Sequence, residues 1–156
     1  MLFRSRDEWR ARLDALEIFK GILASVHSAD VRGLGRLTTQ NWDGPLKQII
    51  PWVTNAFTES IIRAAREALG DDFWGFLMLG GMSGGGMAFF VAPHRHDEFQ
   101  EQIAAIMKQS KSSLDDALPF AMEPVVYDFR INAHGDRKST RLNSSHRSLS
   151  RMPSSA

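Results

Sequence analysis

The sequence predicts an α+β fold, with N-terminal helices followed by a small antiparallel sheet packed with helices. Apolar residues recur at helical spacing over the first 70 positions. Two apolar runs of strand length, 73–79 and 87–92, then flank a glycine-rich segment, and helical spacing returns over 97–117. At 156 residues, with 43% hydrophobic and 24% charged side chains, the chain is sized for one domain with its own core.

Two helices are predicted before residue 40. The first segment is rich in Arg, Asp and Glu, and its large apolar residues recur at three-, four- and seven-residue spacings, which predicts an amphipathic helix with one apolar face in the core. The residues of this face are Trp9, Leu13, Leu16, Ile22, Leu23 and Val26. Asp30 is an N-cap candidate for a second, short helix over 31–38.

A third helical stretch is predicted from Asp43-Gly44-Pro45, because proline suits the first helical turn. It ends at Gly70, a C-cap candidate. Its apolar face consists of Leu46, Ile49, Val53, Phe57, Ile61 and Ala64 or Ala65. Pro51 interrupts this stretch, so we expect a kink or a junction of two helices there.

The C-terminal half is predicted to alternate strands with a helix. The runs at 73–79 and 87–92 are predicted to be adjacent strands. A helix over 97–117 follows, and Pro119 closes it. A last strand-like run covers 125–131.

The composition excludes several classes of protein. Zero cysteines exclude a disulfide framework, a zinc finger and thiol catalysis. No apolar stretch approaches the roughly 18 to 20 residues of a membrane span, and the N-terminus has no signal-peptide core, so a cytoplasmic protein with no membrane partner is expected. Residues 136–156 hold five basic residues and one acidic residue, which leaves −3 on 1–135 and no nucleic-acid footprint there.

The last 21 residues are predicted to be a tail outside the fold. Residues 136–146, DRKSTRLNSSH, and 150–156, SRMPSSA, resemble the translation of the two ends of a common sequencing adapter. We therefore expect one domain over 1–135 and a disordered, artefactual tail over 136–156. The other interpretation is a natural Ser/Arg-rich tail that binds anionic partners.

Five of the twelve glycines lie between positions 80 and 86. Glycine permits positive φ and lets backbone N–H groups approach a ligand, so such segments bind phosphates. The phosphate-binding interpretation expects Gly84, Gly85 and Gly86 to hold conformations that a Cβ resists. A P-loop is excluded because no Lys-Ser/Thr pair follows the last glycine, and the G-x-G-x-x-G fingerprint is also absent. A loose hairpin loop is the other interpretation.

Residues 79–90, LGGMSGGGMAFF, resemble the third conserved motif of the GHMP kinase superfamily, a G-A-G-G-G-G run followed by a hydrophobic strand. Further segments resemble the fucokinase type, including the kinase half of bifunctional fucokinase/fucose-1-phosphate guanylyltransferases. They are 37–59 (LTTQNWDGPLKQIIPWVTNAFTE), 73–87 (FWGFLMLGGMSGGGM) and 117–129 (ALPFAMEPVVYDF).

The resemblance implies the C-terminal domain of a sugar kinase, which uses ATP and Mg²⁺ to phosphorylate a sugar hydroxyl. It implies an active-site loop formed by Gly80, Gly81, Ser83, Gly84, Gly85 and Gly86. Met82 and Ser83 replace the usual Ala and Gly, and the Ser83 hydroxyl can donate a hydrogen bond.

The superfamily's main nucleotide motif, P-x-x-x-G-L-x-S-S, does not occur in this sequence. The resemblance places that motif and the catalytic Asp in a missing N-terminal domain, so the fragment alone is expected to be inactive and its catalytic residues are unassigned. The alternative function is a free-standing, non-catalytic α+β module that binds a ligand or a partner.

Two weaker patterns complete the candidate sites. Thr39, Asn41 and Trp42 form a polar group ending in an aromatic residue, which suits hydrogen bonding and ring stacking to a sugar. The other interpretation is an ordinary helix C-terminus with its loop. His94 and His96 could ligate a metal, but this spacing is more typical of a solvated strand-to-helix junction with Asp97 as the helix cap, so no metal site is predicted.

Overall fold

The N-terminal half of the structure is helical. The structure is a computed structural model that describes residues 6–79, 86–114 and 123–127. Helix α1 spans Arg6–His27 and helix α2 spans Val31–Asn41. The Asp30 carboxylate accepts a hydrogen bond of 2.8 Å from the backbone N–H of Gly33, which satisfies one of the free amides of the first turn. Asp30 is therefore the N-cap, as predicted.

The helix start predicted at Asp43-Gly44-Pro45 is wrong. The chain continues from α2 through a π-helical turn, Trp42–Leu46, into the short helix α3, Lys47–Ile49. Pro45 lies inside the π turn, where a local irregularity tolerates a residue that has no N–H to donate. The helical segment ends before Pro51, so the predicted break at this proline is confirmed.

Helix α4 spans Ala56–Leu69 and has a capping residue at each end. The Asn55 side chain accepts a hydrogen bond of 2.8 Å from the backbone N–H of Thr58. Gly70 follows the helix with φ +54°, a conformation that costs glycine little, which confirms the predicted C-cap. A short 3-10 turn, Gly70–Asp72, leads into the sheet.

The sheet is an antiparallel pair of strands, β1 (Phe73–Leu79) and β2 (Gly86–Val91), followed by helix α5 (His96–Ser112). The register runs from the pair Phe73 and Val91 to the pair Leu79 and Gly86, with an irregularity near Gly75. Within the predicted last strand, residues 125–127 form no strand, and 128–131 lie outside the described residues. The described part of the chain therefore has a two-stranded sheet.

The predicted α+β class is confirmed, and the core lies between the sheet and the helices. One cluster joins α4 to α5, and partly buried strand side chains such as Phe89 pack against it. It consists of Ile61, Ala65, Leu69, Phe99 and Ile103. A second cluster, Trp42, Ile62 and Phe76, joins the π turn to α4 and β1.

The predicted orientation of α1 is wrong. The side chains expected in the core are mostly exposed, and Trp9 keeps 63% of its surface accessible. The buried side of α1 instead consists of Ala11, Ile18 and Ser25. Small residues let α2 approach closely: a Cβ on Gly21 would lie 3.1 Å from the Leu37 side chain. The largest apolar side chains of α1 are left outside.

Residues 1–126 form one compact unit, and 127–156 form a second unit of which the structure describes only Tyr127. The predicted boundary at residue 135 and the predicted tail over 136–156 lie outside the described residues. Among the helices that the structure describes, none is long and apolar enough to cross a membrane.

Candidate functional site

The glycine-rich segment joins the tips of the two strands. Leu79 ends β1 opposite Gly86, which begins β2, so 80–85 connect two directly paired residues. Five of the predicted loop residues lie outside the described residues: Gly80, Gly81, Ser83, Gly84 and Gly85. The structure thus fixes where this connection begins and ends.

Gly86 is the one predicted loop residue that is described. It has strand backbone, its φ is not in the left-handed region, and a Cβ added to it would meet nothing within 4 Å. The expectation that Gly86 holds a conformation that a Cβ resists is therefore wrong. The structure therefore shows no steric requirement for glycine at position 86.

The strand residues close to the glycine-rich segment pack against the second core cluster. Met78 pairs with Met87, one position before the end of the ladder, and both pack against the cluster of Trp42, Ile62 and Phe76. The rings of Trp42 and Phe76 meet edge to face, with centroids 5.8 Å apart. The π turn and α4 therefore support the strands that carry the glycine-rich segment.

A polar group of side chains lies beside the same cluster, centred on Glu59. Its carboxylate oxygen Oε1 accepts hydrogen bonds from the Thr54 hydroxyl at 2.5 Å and from the Trp42 indole N–H at 3.3 Å. Lys47 Nζ lies 2.9 Å from the same oxygen. Three donors from three segments of chain thus converge on one carboxylate.

Two further charges extend this group. Asp43 lies 3.8 Å from Lys47 Nζ and 2.7 Å from an Arg66 guanidinium nitrogen. Hereafter the Glu59 cluster means Asp43, Lys47, Thr54, Glu59 and Arg66. Its two cations balance its two anions, so it holds the π turn to α4 without presenting a net charge to a ligand.

The environment of Glu59 shifts its acidity. Desolvation by burial acts to raise the pKa of Glu59, but hydrogen bonds from Thr54 and Lys47, the positive charge of Lys47 and the Trp42 indole together lower it below its usual value. The carboxylate therefore stays charged to lower pH than an isolated glutamate.

The structure gives the three predicted sugar-binding residues different environments. The Thr39 hydroxyl donates to the Gly35 carbonyl at 2.8 Å and accepts from the Phe76 amide at 2.9 Å, so it ties α2 to β1. Trp42 is 2% exposed and lies within the core cluster. Asn41 is half-buried, and its side chain makes no hydrogen bond to other described residues. Of the three, Asn41 is therefore the one whose side chain has no hydrogen-bond partner among the described residues.

Sequence reasoning missed the contact that positions β1. Gly75 has φ +143°, and a Cβ on it would collide with the Gly35 carbonyl. A Cβ on Gly35 would lie 2.7 Å from the carbonyl oxygen of Trp74. The α2 and β1 backbones therefore touch, a contact for which isolated glycines at 35 and 75 gave no distinct signal.

The two histidines at the strand-to-helix junction each lie beside an aspartate. His94 Nε2 lies 3.3 Å from Asp72, and Arg95 also contacts Asp72, at 3.4 Å. His96 is bonded to Asp97 at 2.8 Å. Arg95 occupies the N-cap position of α5, so the prediction of Asp97 as the cap is wrong. Across the described ranges, no group of three or more His, Asp or Glu side chains is placed to hold a metal ion.

Comparisons of the chain with known proteins found no relative. No protein-family model matches the chain, and neither the curated proteins nor the solved structures include a significant match.

Proposed function

We propose that this chain is the C-terminal part of an ATP-dependent sugar kinase of the GHMP superfamily, similar to the fucokinases. The reaction transfers the γ-phosphoryl group of ATP to a sugar hydroxyl. One observation carries the proposal: the glycine-rich segment 80–85 directly joins two paired antiparallel strands, and the hydrophobic strand β2 starts at Gly86. A hydrophobic strand directly after the glycine run is what the motif resemblance implies, and this supports the proposal.

The proposed chemistry depends on positioning. Phosphoryl transfer is catalysed chiefly by orientation and by stabilising developing charge, both of which backbone N–H groups provide. The proposal gives this task to Gly80, Gly81, Gly84 and Gly85, with the Ser83 hydroxyl as a further donor. The Glu59 cluster is neutral overall and holds the π turn to α4, so the proposal gives it no part in binding the phosphate.

ATP and Mg²⁺ belong to the proposal, as does the sugar. Mg²⁺ binds through carboxylate oxygens together with substrate phosphates. Because the resemblance places the main nucleotide motif in the N-terminal kinase domain, the proposal assigns Mg²⁺ and most ATP contacts to that domain. For the sugar, Asn41 is the available polar side chain of the three predicted. A cytoplasmic location, where ATP is supplied, completes the proposal.

Recovery of the upstream coding sequence tests the proposal. We expect an in-frame P-x-x-x-G-L-x-S-S motif there, and the joined protein should phosphorylate fucose with ATP while the 156-residue chain alone does not. An upstream stop codon with no such motif, or a joined protein without sugar-dependent ATP turnover, would contradict the proposal.

Variants of the joined protein test the loop itself. Gly85→Val should reduce turnover per folded molecule by about a hundredfold, because a shift of about 1 Å in a catalytic group has an effect of that order. Gly86→Ala is the matched control, since its Cβ meets open space. Near-normal turnover of Gly85→Val at temperatures where it is folded would show that the segment is only a connection.

A second candidate function, a non-catalytic interaction module, also has one observation in its favour. The exposed apolar face of α1 is the kind of surface through which proteins associate. An upstream stop codon together with a stable complex through this face would favour the module over the kinase.

A further inference from the structure

The exposed face of α1 has no role in the proposed kinase reaction. We propose that it is a self-association surface through which two copies of this chain pair their α1 helices in antiparallel orientation. The α1 stripe is defined as Trp9, Leu13, Leu16, Phe19, Leu23 and Val26, all of which are exposed. This inference goes beyond the proposed function.

The spacing of the stripe is that of a helix pair. Alternating steps of four and three residues, the repeat by which two helices keep one seam in contact, run through Trp9, Leu13, Leu16, Lys20 and Leu23. Phe19 and Val26 of the stripe lie beside this seam. The opposite side of α1 is buried through Ala11, Ile18 and Ser25. α1 is therefore anchored to its own chain, and the seam points away from the described part of the fold.

The stripe is large enough to form an interface. A lasting interface buries about 1,000 Å² or more in total. Each stripe contributes four aliphatic side chains and two aromatic ones, and an aromatic side chain buries roughly 150–250 Å². The six side chains are 44–63% exposed, so pairing removes a substantial apolar area from water on both copies.

Charges beside the stripe select a second copy of the chain as the partner. Arg10 and Glu17 lie seven residues apart on the same rim of the seam. Among the residues that the structure describes, Arg10 makes no ion pair and Glu17 pairs with Lys20, at 2.7 Å. An antiparallel pair centred between residues 14 and 15 places Arg10 of each copy beside Glu17 of the other.

The same register gives Lys20, the charged residue within the seam, a favourable partner. Parallel helices would set Lys20 against Lys20, which is repulsive. Antiparallel helices in this register set Lys20 against Trp9 of the second copy, a cation over an aromatic ring, and set Leu13 against Leu16. The charge pattern therefore favours the antiparallel arrangement.

Sedimentation of the full chain and its charge-reversal variants tests the proposal. We expect wild type to form a dimer, and Arg10→Glu and Glu17→Arg each to weaken dimerisation about tenfold or more, because each reversal sets like charges together twice. Mixing the two variants should restore dimers, since both contacts in the mixed pair then join opposite charges. In a parallel pair, Arg10→Glu would not show this loss of dimerisation and its recovery on mixing with Glu17→Arg.

Two controls separate association from folding. Arg63→Glu reverses an exposed charge on α4 and should leave the dimer intact, whereas Leu16→Glu should give a monomer with unchanged helical circular dichroism. A wild-type chain that is monomeric up to about 1 mM overturns the proposal. The antiparallel register is overturned if the mixture of the two reversed variants stays monomeric, or if Arg10→Glu dimerises as strongly as wild type.

Discussion

Gly35 of α2 and Gly75 of β1 are in backbone contact. The carbonyl of Gly35 occupies the space that a Cβ on Gly75 would need, and Gly75 itself has φ +143°. Neither residue could carry a side chain without moving the helix from the strand. Two isolated glycines therefore determine how the helical half meets the sheet.

Gly75→Ala should be strongly destabilising. The added Cβ meets backbone atoms and the φ is unfavourable for alanine, so we expect a loss of roughly 3 kcal/mol and a fall in Tm of about 10 °C. Gly86→Ala is the matched control in the same hairpin, and its Tm should change little. Calorimetry of both variants measures the difference, and similar Tm values would contradict the backbone contact.

Thr39→Val should destabilise the fold through a lost hydrogen bond. The Phe76 amide would lose its 2.9 Å acceptor at nearly constant side-chain volume, at a cost of about 1–3 kcal/mol in unfolding free energy. Thr39→Ser keeps the hydroxyl and should retain most of the stability. Urea unfolding distinguishes the variants, and equal stability of Val and Ser would remove Thr39 from this structural role.

Glu59→Gln should reduce stability at neutral pH but not at low pH. The pKa of Glu59 is lower in the folded chain than the usual value of 4.5, so the charged form stabilises the fold above that value. This contribution is lost as pH falls through the lowered pKa. Because the Glu59 side chain is 41% exposed, we expect a difference below about 1 kcal/mol.

Urea unfolding between pH 7 and pH 3, about the range in which a carboxyl titrates, measures this difference. The gap between wild type and Glu59→Gln should narrow as the solution becomes acidic. Glu67→Gln on the same helix is the control, since Glu67 is exposed and has no ion pair in the described part of the chain. A gap that stays constant with pH would contradict the stabilising role of the charge.

Deletion of 136–156 should leave the fold intact. This segment offers only Leu142, Leu149 and Met152 for burial, too little to offset the entropy of ordering it. We expect the Tm of the shortened chain to stay within about 2 °C of the full chain. A larger fall in calorimetry would show that the segment packs on the fold.

Local signals in the sequence predicted much of the backbone. Asp30 and Gly70 act at helix ends through their own side chain or their own φ, so their roles can be predicted without tertiary contacts. Pro51 breaks the helical segment for the same local reason. The two strands were also predicted, because short apolar runs on either side of a glycine-rich segment favour a hairpin.

The buried side of α1 and the path of the chain at Asp43-Gly44-Pro45 depend on tertiary contacts, which the sequence pattern does not predict. Periodicity places the largest apolar residues of α1 in the core, but the small residues Gly21 and Ser25 allow α2 to pack on the opposite side. Asp43-Gly44-Pro45 has the composition of a helix start, yet the chain stays helical through this point, where Trp42 packs against Phe76 in the core.

The candidate site was predicted only in part. The position of the glycine-rich segment at a strand connection follows from sequence. The convergence of Lys47 and Thr54 on Glu59 depends on how the π turn meets α4, and no sequence spacing indicates it. The 2% exposure of Trp42 likewise follows from packing.

The contact between Gly35 and Gly75 has a mechanical consequence. Where side chains separate two elements, rotamer changes absorb small displacements. Here the two main chains touch, and the Thr39 hydroxyl on α2 accepts a hydrogen bond from the Phe76 amide on β1. Closely packed interiors transmit strain. Helix α2 and strand β1 must therefore move as one stiff body, so a force that tilts the hairpin also tilts the helix.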